Sequence, residues 1–231
     1  MKLIEYFEEF NLDTKNIDKF EEYKKLILEY NEHTNLTRIT EEDEFNVKHF
    51  LDSLSILKSD KIKEGLKIID IGTGAGFPGM PLKIYDEKLD ITLLDSLRKR
   101  IDFLNGVIEK LDLDNIIAVH ERAEEAARSN KYREKYDIAL SRAVANLSTL
   151  VEYTLGFVKV GGYFISQKGP EYDKELKDAQ NAIKIMGGEV ENIISVDLPD
   201  EIDHYLIIIK KIKETPKKYP RGGGKPRKQP L

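Results

Sequence analysis

Cysteine is absent from the 231 residues, which excludes a disulfide framework and a thiolate metal site and is compatible with a reducing compartment. The opening run Met1-Lys2-Leu3-Ile4-Glu5-Tyr6-Phe7-Glu8-Glu9 has neither the basic start nor the apolar core of a secretory signal. No apolar stretch reaches the roughly 20 residues needed to cross a bilayer. A cytoplasmic protein with no membrane partner is therefore expected. Histidines number only four, and none lies at ligand spacing from His49, so no metal site is expected. What the chain does contain is 40% hydrophobic and 34% charged residues, the balance of a folded, soluble protein. Its length suits one sizeable α/β domain, or a core domain with an extension.

The formal net charge is −5, which by itself argues against a nucleic-acid partner. The distribution matters more. Over Lys210–Leu231 nine Lys or Arg residues face a single acid, Glu214, so an acidic body ends in a basic tail. That asymmetry points to an anionic partner for the tail.

Three regions separate by pattern. Residues 1–65 read as a helical extension, with Ile17, Phe20, Tyr23, Ile27 and Tyr30 on one apolar face. Thr40 and Asp43 resemble a capping box that opens a second helix carrying Phe45, Phe50, Leu54 and Leu57. Residues 66–213 alternate strand and helix signals, with strands at 66–71, 90–95, 116–120, 136–141, 163–167, 192–196 and 204–209. Helical patterns fall at 97–111, 147–159 and 172–186. Such alternation predicts a largely parallel, Rossmann-like α/β sheet. The stretch Leu198-Pro199-Asp200-Glu201-Ile202-Asp203 between the last two strands is too short for a crossover helix, so these should form an antiparallel hairpin. Residues 214–231 have little to bury and are expected to be disordered without a partner. No internal repeat or strong self-association seam is visible, and a monomer is expected.

The strongest local signal is Ile68-Ile69-Asp70-Ile71-Gly72-Thr73-Gly74-Ala75-Gly76-Phe77-Pro78-Gly79, a strand running into glycines with a helix starting near Pro78. A loop of this kind at the carboxyl end of the first strand is a nucleotide site. Gly74, Gly76 and Gly79 satisfy the GxGxxG spacing of a dinucleotide binder, and Asp95 follows Gly76 by 19 residues, near the ribose-binding distance. Asp70 argues the other way. Its carboxylate would repel a pyrophosphate, whereas S-adenosylmethionine (SAM) carries an ammonium and a sulfonium and no phosphate. The loop thus favours SAM, with Asp70, Gly72, Gly74, Gly76 and Phe77 as cofactor residues. Asp95, with Ser96 beside it, can accept the ribose hydroxyls; capping the next helix, worth about 1 kcal/mol, explains Asp95 equally. Ala123 and Glu124, after the third strand, sit where a loop covers an adenine, although Glu124 also fits a helix-start acid.

The segment Gly72-Thr73-Gly74-Ala75-Gly76-Phe77-Pro78-Gly79-Met80-Pro81-Leu82 resembles the bacterial 16S ribosomal RNA (guanine-N7) methyltransferases, also known as glucose-inhibited division protein B. So do Asn35-Leu36-Thr37, His49-Phe50-Leu51-Asp52-Ser53, Leu93-Leu94-Asp95-Ser96, Ser141-Arg142-Ala143, Lys168-Gly169 and the tail Thr215-Pro216-Lys217-Lys218-Tyr219-Pro220. The similarity runs through the whole chain in order. It implies a class I SAM-dependent methyltransferase, a SAM site using Gly72, Phe77, Asp95, Ala123, Glu124 and Arg142, and methylation of a guanine N7 in 16S RNA of the small ribosomal subunit. No DNA partner is expected.

N7 of guanine has a free lone pair and no proton to remove, so no strong general base is needed; orientation and exclusion of water should supply the rate. Arg142 and Lys168 follow the fourth and fifth strands and are the expected positioning cations; the resemblance favours Arg142 near SAM and Lys168 near RNA, the alternative being that both are solvated loop charges. Asn35, Thr37, His49 and Asp52 of the extension either cap helices and pair with one another or form the roof of the substrate pocket. Lys217, Lys218 and Arg221 of the tail should grip RNA phosphates without sequence choice, the alternative being a solubilising terminus. Three other assignments stay open: a SAM enzyme acting on a small molecule or protein, an NAD-dependent oxidoreductase, and a non-enzymatic RNA-binding protein.

Overall fold

The structure, a computed structural model, describes residues 1–142, 145–199 and 203–231; Ala143 of the Ser141-Arg142-Ala143 motif and residues 200–202 of the predicted hairpin link lie outside them. Seven strands form one sheet: β1 (Lys67–Ile71), β2 (Asp90–Asp95), β3 (Ile116–His120), β4 (Tyr136–Arg142), β5 (Val158–Lys168), β6 (Gly188–Val196) and β7 (His204–Lys211). Their order is β3-β2-β1-β4-β5-β7-β6. The first five are parallel, and β7 runs antiparallel to both β5 and β6, as the short link requires. This is the class I methyltransferase sheet.

Two helices, α1 (Leu3–Glu9) and α2 (Ile17–Asn31), precede a continuous helical run of changing pitch: α3 (Glu42–Phe45), a π-helix (Asn46–Leu51), α4 (Asp52–Leu54) and a 3-10 segment (Ser55–Ser59). The run is capped by Glu41, which accepts from the Glu44 N–H at 2.8 Å, one residue later than the Thr40 capping box predicts. Then α5 (Gly79–Tyr85) follows β1, α6 (Arg98–Lys110) follows β2, α7 (Ala123–Ala126) follows β3, α8 (Leu147–Thr154) follows β4 and α9 (Tyr172–Met186) follows β5. A last turn, α10 (Lys225–Lys228), closes the chain. The helix expected over 147–159 stops at Thr154, and β5 begins at Val158. Gly156 breaks the helix, and Phe157 and Val158 fit a buried strand as well as they fit a helix.

Both faces of the sheet are covered at its centre, so β1, β2 and β4 read as apolar runs. On one face Ile68, Ile91 and Leu93 join Phe20, Tyr23, Phe45 and Phe50 of the helical extension in a single core. On the other, Ile69, Ala139 and Phe164 pack with α8 and α9. Each fully buried aromatic contributes roughly 1.5–3 kcal/mol. The extension is thereby fixed against the edge of the sheet where the glycine loop emerges.

The tail is packed, contrary to the disorder expected from its composition. Thr215 is buried with its N–H donating to Glu134 (2.8 Å), Tyr219 packs in the core, and three further anchors hold the tail. The Arg133 guanidinium donates to the carbonyls of Thr215 (2.6 Å) and Tyr219 (2.9 Å). Arg221 forks onto Glu152, which is fully buried in α8. The Thr149 hydroxyl donates to the Pro226 carbonyl at 3.0 Å. Tail carbonyls and one arginine find partners on the body, a satisfaction of polar groups that apolar content does not reveal.

Candidate functional site

Gly72, with φ +70°, turns the chain out of β1, and its N–H donates to the Leu94 carbonyl at 2.8 Å, tying loop to neighbouring strand. Asp70 lies under this loop with no exposed surface. Its Oδ2 accepts from the Thr73 hydroxyl (2.6 Å) and from the Gly79 N–H (2.9 Å). Burial pushes the Asp70 carboxyl up to about 7, against the pull of those two donors. Asp70 Oδ2 is thus committed to the loop and Asp70 does not line the cavity in front of it, while its buried Oδ1 has no hydrogen-bond partner. It still disfavours a dinucleotide, because the first free N–H of α5 is already committed to a carboxylate. Gly76 also lies behind the loop. A Cβ there would stand 2.5 Å from the Tyr23 hydroxyl, which donates to the Ala75 carbonyl. Its smallness serves packing of the extension rather than ligand approach.

In front of the loop is a cavity of about 740 Å³. Gly72, Gly74, Phe77, Asp95, Ser96, Ala123, Glu124 and Arg142 all line it, and so does Thr37 from the extension. Asp95 is buried, and its carboxylate accepts from the N–H groups of Gly74 (3.0 Å) and Leu97 (2.9 Å) and from Arg100 (3.1 Å). The bond to Leu97 is a turn ahead of α6, whose N-cap is Leu97 with no side-chain cap, so Asp95 does not cap that helix. Sequence reasoning missed Glu121, Tyr153, Arg227 and Lys228, which complete the wall. Glu121 Oε2 is sheltered from solvent and has no hydrogen-bond partner. The cavity carries three carboxylates beside the cations Arg100, Arg122, Arg142, Arg227 and Lys228, and the unpaired Glu121 oxygen suits a ligand with hydroxyl or amino donors.

A second cavity, about 900 Å³, opens beside the first and shares His49, Arg142 and Ala145 with it. Its floor is a hydrogen-bonded network built on Asp52. Arg142 donates to Asp52 Oδ2 (2.9 Å), to the Lys48 carbonyl (2.9 Å) and to His49 Nδ1 (3.2 Å). Arginine has no acceptor, so Nδ1 is the accepting nitrogen and Nε2 carries the proton toward Thr37 Oγ1, 2.8 Å away. Burial, reinforced by the adjacent Arg142 cation, lowers the His49 imidazole to about 3. It is neutral at working pH, and its ring stacks on Phe77 with centroids 4.3 Å apart. The Arg142 guanidinium sits 4.9 Å from the same Phe77 ring. The π-helical turn at Asn46–Leu51 is what delivers His49 to this point, an irregularity typical of functional segments.

Asp52 is buried too, but the His204 and Arg142 donors outweigh that and hold its carboxyl below the ordinary range. Gln167, at the end of β5, donates to the Asp52 carbonyl (2.5 Å) and to Asp52 Oδ1 (3.1 Å). Lys168 lines the second cavity, yet its ammonium donates to the Ala145 carbonyl (2.8 Å) and to Glu175 (2.7 Å). It is a braced cation rather than a solvated one. Asn35 is exposed and lines neither cavity; Asn31 caps that loop, accepting from the N–H groups of Leu36 and Thr37. Lys217 and Lys218 are exposed on the tail, whereas Arg221 is consumed by Glu152. Gln167 and His204 carry no motif; their only signal is position at the edge of the sheet where ligands gather.

A family model described as rRNA small subunit methyltransferase G matches residues 16–203. The chain belongs to that family. A "Ribosomal RNA small subunit methyltransferase G" from Alkaliphilus oremlandii is 57% identical over 93% of this chain and 90% of its own length. Another, from Clostridium botulinum, is 53% identical over 96% of this chain and 94% of its own. Solved structures add the fold alone. A SAM-dependent methyltransferase from Aquifex aeolicus superposes with TM-score 0.56 at 17% identity, over 76% of this chain and 97% of that one. M. jannaschii TYW2 in complex with AdoMet gives 0.54 at 14% identity, over 70% and 77%. The cofactor is S-adenosylmethionine, and the dinucleotide alternative is set aside. Among the described residues no helix is long and apolar enough to cross a membrane.

Proposed function

We propose that the protein methylates N7 of one guanine in 16S ribosomal RNA of the small subunit, in the cytoplasm and as a single chain. The observation that carries this reading is the shared wall of two cavities, a carboxylate-lined one at the glycine loop and a second one floored by Asp52, meeting at His49 and Arg142. In this reading Gly72, Gly74, Phe77, Asp95, Ser96, Ala123 and Glu124 hold SAM, and the base enters the second cavity. SAM supplies, when bound, an electrophilic methyl group on a sulfonium.

The chain's own residues then have three tasks. The first is to leave N7 bare. An arginine often forks onto O6 and N7 of guanine, which here would block the nucleophile. Arg142 spends donors on Lys48, Asp52 and His49, so it braces the boundary without covering N7. The second is to avoid consuming or donating protons at N7, which a neutral imidazole at His49 achieves. The third is to bring the RNA in. Lys217 and Lys218 on the tail, with Arg227 and Lys228 at the rim of the first cavity, form an exposed basic margin for phosphates. Specificity then comes from an RNA loop whose base can be splayed into the pocket.

The test is transfer of labelled methyl from SAM to small subunits lacking the modification, followed by mapping of the labelled base. Label on a single guanine, at N7, supports the reading. SAM binding with no labelled RNA removes the substrate assignment and leaves the fold and cofactor standing.

A further inference from the structure

Gln167 keeps only 5% of its surface exposed, it lines the second cavity, and its Oε1 has no hydrogen-bond partner. The amide cannot turn to hide that oxygen, because its Nε2 is held by the carbonyl and the carboxylate of Asp52. Beside it the Asp52 carboxylate has Oδ2 accepting from Arg142 and Oδ1 accepting from Gln167, with His204 Nδ1 at 3.4 Å. A carboxylate offers about four lone-pair sites, so acceptor capacity remains on the Oδ2 side. The floor of this cavity is thus a pair of acceptors fixed from behind by donors, one neutral and one anionic. An unpaired carbonyl and an underused carboxylate withdrawn from water are costly unless a ligand completes them.

We infer that Asp52 and Gln167 are specificity-determining residues that accept hydrogen bonds from N1–H and the N2 amino group of the target guanine. This rests on the reading that the base enters the second cavity. Among the purines only guanine presents two adjacent donors on that edge; adenine would set its N1 lone pair against the carboxylate and leave Gln167 unpaired. Gripping the base by this edge leaves the opposite edge, with N7, clear of the floor. Lys168, whose ammonium has a third N–H beyond those on Ala145 and Glu175, is placed on the same cavity to meet O6. Gln167 and Asp52 act on base choice, while the cofactor cavity is untouched by either side chain.

The experiment compares methyl transfer to small subunits reconstituted with guanosine or with inosine at the mapped position. Inosine keeps N7 and N1–H and lacks only the N2 amino group. Wild-type enzyme should lose roughly 5- to 150-fold in kcat/KM on inosine. The Gln167→Met variant, isosteric and apolar, should be slower on guanosine by a similar factor and should lose most of the discrimination, the two changes failing to add. Equal rates on both RNAs with the wild-type enzyme overturn the proposal and leave the methyltransferase reading intact. So does a Gln167→Met penalty that is identical on guanosine and inosine, which a bracing role alone would produce. Binding of S-adenosylhomocysteine by each variant reports that the fold and first cavity survive; if Gln167→Met fails this control, Gln167→Leu is scored in the same cycle, with the same two outcomes. Absence of label on any RNA with the wild-type enzyme removes the functional reading itself, and this inference with it.

Discussion

Asp70 beneath the glycine loop and Asp52 beneath the helical extension are both withdrawn from water, and their carboxyl groups move in opposite directions. Asp70 meets only neutral donors, the Thr73 hydroxyl and the Gly79 N–H, and burial carries it up to about 7. Asp52 is nearly as deep, but the His204 ring and the Arg142 cation hold it down. The charge of the partner, not depth, decides which buried carboxylate stays ionised. One region is a scaffold that shapes backbone for a cofactor. The other keeps a charge at a recognition surface.

The largest break in this comparison is Arg142→Ala. It strands the Asp52 charge, so unfolding in urea should show about 3–5 kcal/mol of lost stability, and misplacing the shared wall should cut methyl transfer by about 100-fold or more. A stability within about 0.5 kcal/mol of wild type would mean that Asp52 needs no cation. Glu152 is a third buried carboxylate, paired with the Arg221 guanidinium. Arg221→Ala should cost about 3 kcal/mol and free the tail, making it a target for trypsin at Lys217 and Lys218; an unchanged digestion pattern would contradict that role. At Asp70 the effect should be smaller and should depend on shape rather than charge. Asp70→Ala leaves two donors unpaired at about 1–3 kcal/mol, whereas Asp70→Asn keeps an acceptor for Gly79 and should stay within about 1 kcal/mol. Equal losses for the two variants would show that the charge matters there after all.

The most gradual effect is in the pH profile. The Asp70 carboxyl is raised, so its contribution to stability is present below its unfolded value of 3.8 and is lost as pH rises through about 7. The His49 imidazole is lowered to about 3, so its contribution is present above 6.5 and is lost as pH falls below that value. Between about pH 4 and 6.5 the slopes oppose one another, each at most about 1.4 kcal/mol per pH unit. Asp70→Asn removes one of them, and urea midpoints should then fall more steeply on acidification than in wild type. Parallel profiles would break the assignment.

Much of the fold is readable along the chain because the central strands β1, β2 and β4 bury both faces and each glycine turn is local. β2 and β3 begin and end where the pattern of the sequence puts them, and α9 spans its full predicted range. What is not legible is any property that depends on a distant partner. The composition of residues 214–231 suggests disorder, but Arg133, Glu152 and Thr149 on the body supply the partners that order it. The residue type at Asp70 suggests a ligand contact, yet the direction of the side chain commits it to Thr73 and Gly79. Gln167 and His204 stand outside any motif and matter because they converge on Asp52 from two strands. His49 and Asp52 are visible as a motif, but only the π-helical turn and Arg142 show that they wall two cavities.

The most direct test of the two-cavity arrangement is a crystal structure of the protein with S-adenosylhomocysteine and guanosine monophosphate. The first ligand is expected among Gly72, Asp95 and Glu124, and the guanine on the Asp52 side of His49 and Arg142 with N7 turned toward that shared wall. A guanine bound elsewhere, or S-adenosylhomocysteine lying over Asp52, would contradict it.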